Sequence, residues 1–229
     1  MLPIRDHLPT RTVPFVNYAI IAANVVVFVL ELGGMVDMRL SFLPARALVD
    51  PAVGVETLFT AMFMHAGFAH IGFNMLFLWI FGDNVEDAMG HLRYLVFYLL
   101  GGVGAAVAQG LVSPMVPMLG ASGAISAVLA AYAFLYPRSP VDVINPVPIL
   151  WLFYGLLLRL PAWLVIGLFF AGNLWSALIG EGGGVAFMAH IGGFVVGVVL
   201  LRPFMIGRER MDDYARHERW ARRRGEPRW

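Results

Sequence analysis

Residues 120–137 read GASGAISAVLAAYAFLYP, an apolar run that opens with Gly120-Ala121-Ser122-Gly123 and closes on Pro137. Such a run approaches the length of about 20 residues that a helix needs to cross the hydrocarbon layer of a membrane. It places a serine hydroxyl near one end of an otherwise apolar segment. Because polar groups are costly in hydrocarbon, Ser122 is a candidate functional residue.

The composition of the whole chain is that of a membrane protein. Of its 229 residues, 59% are hydrophobic and 14% are charged, with a mean hydropathy of +0.75. Soluble domains are about half apolar and about a quarter charged. The absence of cysteine excludes thiolate nucleophiles, disulfides and cysteine-ligated metals. We therefore predict an all-α polytopic membrane protein.

Six apolar segments are predicted to cross the membrane as a six-helix bundle. They cover residues 13–33, 64–82, 92–112, 121–137, 160–178 and 187–203. All 16 basic residues are arginine, and in this topology only Arg39 and Arg46 fall on the side opposite the termini. Because positive charge collects on the cytoplasmic side, both termini are predicted to be cytoplasmic. The expected location is the cell (inner) membrane of a bacterium or an archaeon.

This topology divides the chain into three regions. Residues 1–12 form an N-terminal cytoplasmic tail, residues 13–203 the six-helix core, and residues 204–229 a basic cytoplasmic tail. The first span lacks a small-residue cleavage site, so it is expected to be a retained anchor. Residues 146–158 are mostly apolar but too few to span, which favours an interfacial or re-entrant segment.

Two other predicted spans carry polar residues at a depth similar to that of Ser122. His70 and Asn74 lie in the second span and His190 in the sixth. With a rise of about 1.5 Å per residue, His70, Ser122 and His190 all fall roughly 6 to 12 Å below the outer surface. A shared layer of polar side chains near the outer face is therefore predicted.

Ser122 and His190 are a candidate nucleophile and general base within that layer. A serine hydroxyl needs a neighbouring base to take its proton, and neutral histidine is the usual one. Gly120 and Gly123 permit a tight turn beside the serine. The acid nearest to His190 in sequence, Glu181, falls in a glycine-rich loop outside the helix, so a dyad is favoured over a triad.

His70 and Asn74 are candidates for stabilising an oxyanion. Being four residues apart, they share one helix face. Together with Gly120 and the Ser122 backbone N–H at a helix start, they can direct hydrogen-bond donors at a developing negative charge. Interpretations without catalysis stay open. The glycines and the serine can serve helix packing, and His70 with Asn74 can form hydrogen bonds to neighbouring helices or bind an ion.

Four motifs, taken together, resemble those of the rhomboid intramembrane serine proteases. They are His70-x-x-x-Asn74, the spacing of Gly82, Glu86 and Gly90, the Gly-x-Ser-Gly of Gly120 to Gly123, and Ala189-His190-x-Gly192-Gly193 with Gly197. The resemblance extends from the first span to Arg202. It implies a protease that cleaves membrane-anchored substrates, with Ser122 and His190 as a dyad and His70, Asn74 and the Ser122 N–H as the oxyanion site. His65 matches a further family histidine that structures the water-accessible region.

Further expectations come from the resemblance. A substrate helix is expected to enter between the second and fifth spans, and residues 180–184 are expected either to cap the cavity or merely to turn. Gly82, Glu86 and Gly90 are interpreted as structural. In two places the chain departs from the family: Ser126 stands where many bacterial members have a tyrosine stacked on the catalytic histidine, and residues 35–63 lack a Trp-Arg pair found in some members.

The expected partners are transmembrane protein substrates and membrane lipid, with no nucleic acid. Neither a metal nor a cofactor is implied, and the oligomeric state stays open. The segment from Arg202 to Trp229 carries nine arginines, which favours a solvated tail near anionic lipid. Two rival classes are a catalytically inactive rhomboid-like binding protein and a small polytopic transporter, the latter usually marked by inverted repeats.

Overall fold

The fold is mostly helical in a computed structural model, which describes residues 2–151, 155–179 and 187–207. The helices are α1 Phe15–Leu32, α2 Pro44–Val49, α3 Pro51–Ala61, α4 Phe68–Phe77, α5 Asp83–Met89, α6 His91–Val112, α7 Ser122–Leu135, α8 Ala162–Ile179 and α9 Phe187–Phe204. A π-helical segment, Leu78–Gly82, joins α4 to α5, and 3-10 turns cover Met38–Leu40 and Pro148–Leu150.

Three of the described helices are long and apolar enough to cross a membrane. They are α1, α6 and α9, with 18, 22 and 18 residues. Two shorter apolar helices cover Ser122–Leu135 and Ala162–Trp175. Helical segments occur in all six stretches predicted as spans, the second being the run from α4 into the π segment. The chain is thus a membrane protein.

Helix α7 lies at the centre of the fold, packed between α6 and α9. Every residue from Gly123 to Tyr132 is buried. The close approach depends on small residues, since a Cβ added at Gly197 of α9 would fall 2.6 Å from the Cα of Ala127. Small residues allow membrane helices to pack backbone against backbone. This packing positions the start of α7 against the start of α9.

A buried polar network connects α1 to the segment that contains the π helix. The Glu86 carboxylate accepts hydrogen bonds from the N–H groups of Val16 (3.1 Å) and Asn17 (2.6 Å), which caps the first turn of α1. The Asn17 amide donates to the carbonyl of Leu78 at 2.9 Å, and the Tyr94 hydroxyl donates to Asn17 at 2.7 Å. Glu86 therefore braces this end of the bundle, while Gly90, at φ +83°, permits the turn from α5 to α6.

A three-stranded antiparallel sheet corrects the all-α prediction. Its strands are β1 Pro3–Asp6, β2 Pro140–Ile144 and β3 Leu157–Pro161, in the order β1-β2-β3. Part of the predicted N-terminal tail is therefore a strand, and the flanks of the 146–158 segment belong to a β-hairpin. These strands are short, and β1 pairs with residues far along the chain, so no local sequence pattern predicts them.

Asp142 in the central strand holds the sheet together electrostatically. It accepts from Arg5 Nε of β1 at 2.8 Å and from Arg159 Nε of β3 at 2.9 Å, and His7 Nε2 lies 3.0 Å away. Burial alone would raise the pKa of Asp142, but the hydrogen bonds from Arg159, Arg5 and His7 outweigh burial and lower the pKa well below its usual range.

Two predicted features lie outside the described residues. The loop of residues 180–184, with Glu181, falls between α8 and α9, and most of the arginine-rich tail falls after residue 207. The expectations of a cap and of a solvated basic tail therefore stand on the sequence.

Candidate active site

Ser122 is the first residue of α7 and follows a turn that only glycine adopts readily. Gly120 has φ +115°, and its N–H donates to the carbonyl of Ala61 at 2.8 Å. A Cβ at Gly120 would lie 2.7 Å from the ring of His70. Because this N–H is already bonded, Gly120 shapes the site through its conformation and its lack of a side chain.

The structure brings Ser122 and His190 together. His190 lies near the start of α9, and its Nε2 is 2.8 Å from Ser122 Oγ. Gly193 lets α9 approach α7 this closely, since a Cβ there would collide with the carbonyl of Gly123, and Gly123 itself allows close packing of α7 on Ala105 of α6. The distance is that of a hydrogen bond in which the serine hydroxyl donates to an unprotonated ring nitrogen.

Asn173, which was not among the residues predicted from the sequence, contacts the other nitrogen of the same ring. Its Oδ1 lies 2.5 Å from His190 Nδ1, and the residue is buried in α8. A signal was present, because an asparagine inside an apolar span is a candidate functional residue on the same grounds as Ser122. No motif in the sequence connects it to His190.

His70 and Asn74 line the opposite side of the site on α4. His70 Nδ1 accepts from the N–H of Ala66 at 3.3 Å, so the neutral ring carries its proton on Nε2, which lies towards Gly120. The Asn74 amide donates to the carbonyl of His70 at 3.0 Å, which leaves its second N–H available. Both residues line the same cavity as Ser122.

His65 supports the entry to α4. It is buried, its ring stands edge-on to that of His70 with centroids 5.0 Å apart, and its backbone N–H donates to the Glu31 carboxylate at the end of α1. His65 therefore packs against the His70 ring at the start of α4.

Ser126, which stands where many family members have a tyrosine, forms a hydrogen bond within its own helix. Its Oγ donates to the carbonyl of Ser122 at 2.8 Å. Two aromatic rings lie near His190: that of Phe169 in α8, with centroids 6.2 Å apart, and that of Phe187 in α9, at 6.5 Å. The surroundings of the imidazole thus come largely from α8.

A cavity of about 960 Å³ connects these groups. Ser122, His190, His70 and Asn74 all line it, and so do aromatic side chains of α4 and α8: Phe73, Phe77 and Phe169. The rings of Phe77 and Phe169 are tilted by 43° to each other, with centroids 5.2 Å apart. Within the described ranges, no group of three or more histidine, aspartate or glutamate side chains is placed to hold a metal ion.

In this site a serine hydroxyl lies within hydrogen-bond distance of an imidazole, beside a cavity among apolar helices. These features are those of a membrane protein with a hydrolase-like site. The family model described as the Rhomboid domain matches residues 54–206, which contain all of these groups. The chain belongs to the rhomboid family.

Several curated proteins are similar to this chain. Rhomboid protease GluP of Bacillus subtilis is 41% identical over 78 residues, which are 34% of this chain and 15% of that protein. Rhomboid protein 1, mitochondrial, of Saccharomyces cerevisiae is 29% identical over 197 residues, or 80% of this chain and 51% of that protein. Rhomboid-type serine protease 2 of Emericella nidulans is 31% identical over 145 residues, or 61% and 25%.

The chain thus spans between 15% and 51% of the length of these three relatives. The names of the Bacillus subtilis and Emericella nidulans relatives describe proteases, and that of the Saccharomyces cerevisiae relative describes a mitochondrial protein. Because similar proteins come from a bacterium and from mitochondria, the comparisons support a membrane location but do not favour the bacterial or archaeal inner membrane expected from the sequence.

Proposed function

We propose that this chain is an intramembrane serine endopeptidase in which Ser122 is the nucleophile and His190 the general base. The observation that carries the proposal is the 2.8 Å separation of Ser122 Oγ and His190 Nε2 beside the cavity. A general base acts within about 2.6–3.2 Å of the atom whose proton it takes. The names of the protease relatives support the same reaction class.

The proton follows the hydrogen bond between the two residues. His190 Nε2 takes the hydroxyl proton as Ser122 Oγ bonds to the carbonyl carbon of the peptide, and the carbonyl oxygen becomes an oxyanion. The imidazolium then gives that proton to the departing amine as the C–N bond breaks. Water, deprotonated by His190, releases the acyl group and restores the serine.

The oxyanion is stabilised by donors from two helices in this proposal. The Ser122 N–H lies in the first turn of α7, where N–H groups have no acceptor within the helix. The Nε2–H of His70 and the second amide N–H of Asn74 approach from α4. Such donors stabilise the charge that develops in the transition state more than the neutral carbonyl.

Substrates are single-span membrane proteins in this proposal, and they enter between α4 and α8. The cavity, lined by residues of both helices, supports this entry. The chain crosses the membrane six times with both termini cytoplasmic, and cleavage takes place near the outer face. Since a helical peptide bond is shielded and hydrogen-bonded, glycine or proline near the cleaved bond favours the reaction.

The test uses the purified full chain in liposomes with a fluorescent single-span substrate. We expect cleavage that persists with a chelator and disappears in Ser122→Ala and in His190→Ala. Full activity in either variant would contradict the role assigned to that residue. Binding of the substrate without cleavage would favour an inactive rhomboid-like binding protein, and solute flux without cleavage would favour a transporter.

A further inference from the structure

The amide of Asn173 in α8 contacts the nitrogen of His190 that does not face Ser122. We propose that Asn173 is a positioning residue that holds the His190 ring in the orientation and tautomer needed to accept the serine proton. The inference rests on the proposed function and adds a third member, supplied by a different helix, to the Ser122–His190 pair. Asn173 does not touch substrate or the reacting atoms; it acts through His190.

The orientation of the Asn173 amide follows from its two hydrogen bonds. Its Nδ2 donates to the carbonyl of Phe169, one turn earlier in α8, at 2.8 Å. The Oδ1 is then the atom directed at His190 Nδ1, 2.5 Å away. An amide oxygen only accepts, so the Nδ1 of His190 must carry a proton. The backbone of α8 therefore determines which atom of Asn173 the histidine meets.

The tautomer of His190 follows in turn. With its proton on Nδ1, the neutral ring has a lone pair on Nε2, the nitrogen 2.8 Å from Ser122 Oγ. This is the only neutral form that can take the serine proton. In the other tautomer Nε2–H would donate to the Ser122 hydroxyl and could not take its proton, and Nδ1 would face the amide oxygen of Asn173 without a proton between them.

The ring also needs support against rotation, and α8 supplies it. Asn173 is 8% exposed, so water competes little for its hydrogen bond to His190. The ring of Phe169, which lies one turn from Asn173, is tilted beside the imidazole. Ser126, in contrast, is bonded to the backbone of α7. Asn173 therefore contacts the ring nitrogen that does not face Ser122, and Phe169 of the same helix lies beside the ring.

A purely structural role for Asn173 makes a different prediction from a positioning role. A buried asparagine that only joins two helices affects stability when it is replaced, but not the pH dependence of the reaction. A positioning residue affects turnover and the protonation of its partner. His70 of α4 lines the same cavity as His190. Among the described helices packed on α9, α8 carries no titratable side chain, and that of α7, Tyr132, bonds Asp6. The titratable side chains of α6, His91, Arg93, Tyr94 and Tyr98, lie in its first half, where Arg93 bonds the carbonyls of Phe204 and Ile206 at the other end of α9.

The first experiment compares Asn173→Ala and Asn173→Asp with the full-length wild type. In Asn173→Ala we expect kcat to fall roughly 10- to 10,000-fold with KM little changed, because the productive tautomer and orientation are no longer imposed. Asn173→Asp keeps an acceptor at the same place, so it should retain most of the activity. Its carboxylate stabilises the imidazolium, so the acidic limb of the kcat/KM profile should move to higher pH.

Asn24 offers a matched control. It is also a buried asparagine whose amide donates to a carbonyl one turn earlier, that of Ile20, at 2.7 Å, but it lies in α1, away from the histidine. Asn24→Ala should lower the unfolding temperature without moving the pH profile. An equal pH profile in Asn173→Asp and wild type, or wild-type kcat in Asn173→Ala, would overturn the inference.

A second experiment does not depend on activity. In protein labelled with ¹⁵N-histidine, the Nδ1–H of His190 should give a hydrogen-bonded imidazole N–H signal, assigned by its loss in His190→Ala. We expect the signal to disappear or shift in Asn173→Ala and Asn173→Asp but not in Asn24→Ala. Its presence in all variants would contradict the inference even if the wild type cleaved substrate. If the wild type failed to cleave but showed this pattern, the proposed function would fail and the hydrogen bond would stand.

Discussion

The Oγ of Ser122 lies 2.8 Å from the Nε2 of His190, although 68 positions separate the two residues in the sequence. The approach depends on backbone contact between α7 and α9, where a Cβ added at Gly193 would meet the carbonyl of Gly123. The same glycines that make the helices pack closely therefore bring a hydroxyl and an imidazole within bonding reach. Packing and chemistry are not independent at this site.

The proposed oxyanion donors on α4 lead to the first prediction. Replacement of Asn74 by Ala, or of His70 by Ala, should lower kcat on the order of 10- to 1000-fold, since each change removes one donor of the proposed oxyanion site. The measurement is steady-state cleavage of a single-span substrate, with unfolding temperatures to show that the fold persists. Wild-type turnover in both variants would exclude these side chains as donors.

Local patterns in the sequence were enough to select His70, Asn74, Ser122 and His190 as candidates, because each is a polar residue in an apolar run and each belongs to a short motif; the structure places all four beside one cavity. Asn173 satisfies only the first condition. Its importance depends on its contact with His190, which lies on another helix.

The sheet could not be predicted from the sequence for a similar reason, since Arg5 and Asp142, which pair across two of its strands, are 137 positions apart. Pairing over such distances leaves no periodic signal in either segment.

The proposed entry of substrates between α4 and α8 leads to the second prediction. A cross-link between Phe77→Cys and Phe169→Cys, whose native ring centroids lie 5.2 Å apart, should lower cleavage well below that of the same double variant before cross-linking. The reduced double variant is the reference, because both native rings line the cavity. The natural chain has no cysteine, so the engineered pair is the sole target of a thiol reagent. Cleavage by the double variant should return when a reducible cross-link is cut.

The control for this experiment is a cross-link on another face. Tyr18 of α1 and Trp79 of the π segment stack with ring centroids 5.5 Å apart and are largely exposed. Joining Tyr18→Cys to Trp79→Cys should leave cleavage unchanged. Equal inhibition by both cross-links would point to general rigidity, and full activity with α4 joined to α8 would exclude entry between them.

Asp142 of the sheet leads to the third prediction, on acid sensitivity. Because its pKa is lowered in the folded state, its ionised form stabilises the fold above the unfolded pKa of about 4, and this contribution is lost as the pH falls below that value. Asp142→Asn should reduce the free energy of unfolding by about 1–3 kcal/mol at pH 7, and less at pH 3. Denaturant unfolding in detergent at both pH values measures the difference.

A matched exposed acid separates this effect from general loss of charge. Asp37 is 63% exposed and lies 3.8 Å from Arg39. Exposed pairs contribute little, so Asp37→Asn should change stability by less than about 1 kcal/mol at either pH. A constant penalty for Asp142→Asn across the whole pH range would show that its charge is not what stabilises the sheet.

Asp6 at the end of β1 leads to the fourth prediction, with the opposite sign. Burial raises its pKa to about 7, even though the Tyr132 hydroxyl, 2.6 Å away, acts to lower it; the charge of Asp83 raises it further. Between about pH 4 and pH 7 the unfolded chain releases this proton while the folded chain keeps it. The contribution of Asp6 to stability should therefore decline as the pH rises through this window and level off above it.

Asp6→Asn tests this directly, since asparagine keeps an acceptor for Tyr132 but does not titrate. The stability of the variant relative to the wild type should increase from pH 4 to pH 7, by up to about 1.4 kcal/mol per pH unit, and then stay constant. Unfolding curves whose difference does not change between pH 4 and pH 8 would show that Asp6 ionises in the folded protein as it does in the unfolded chain.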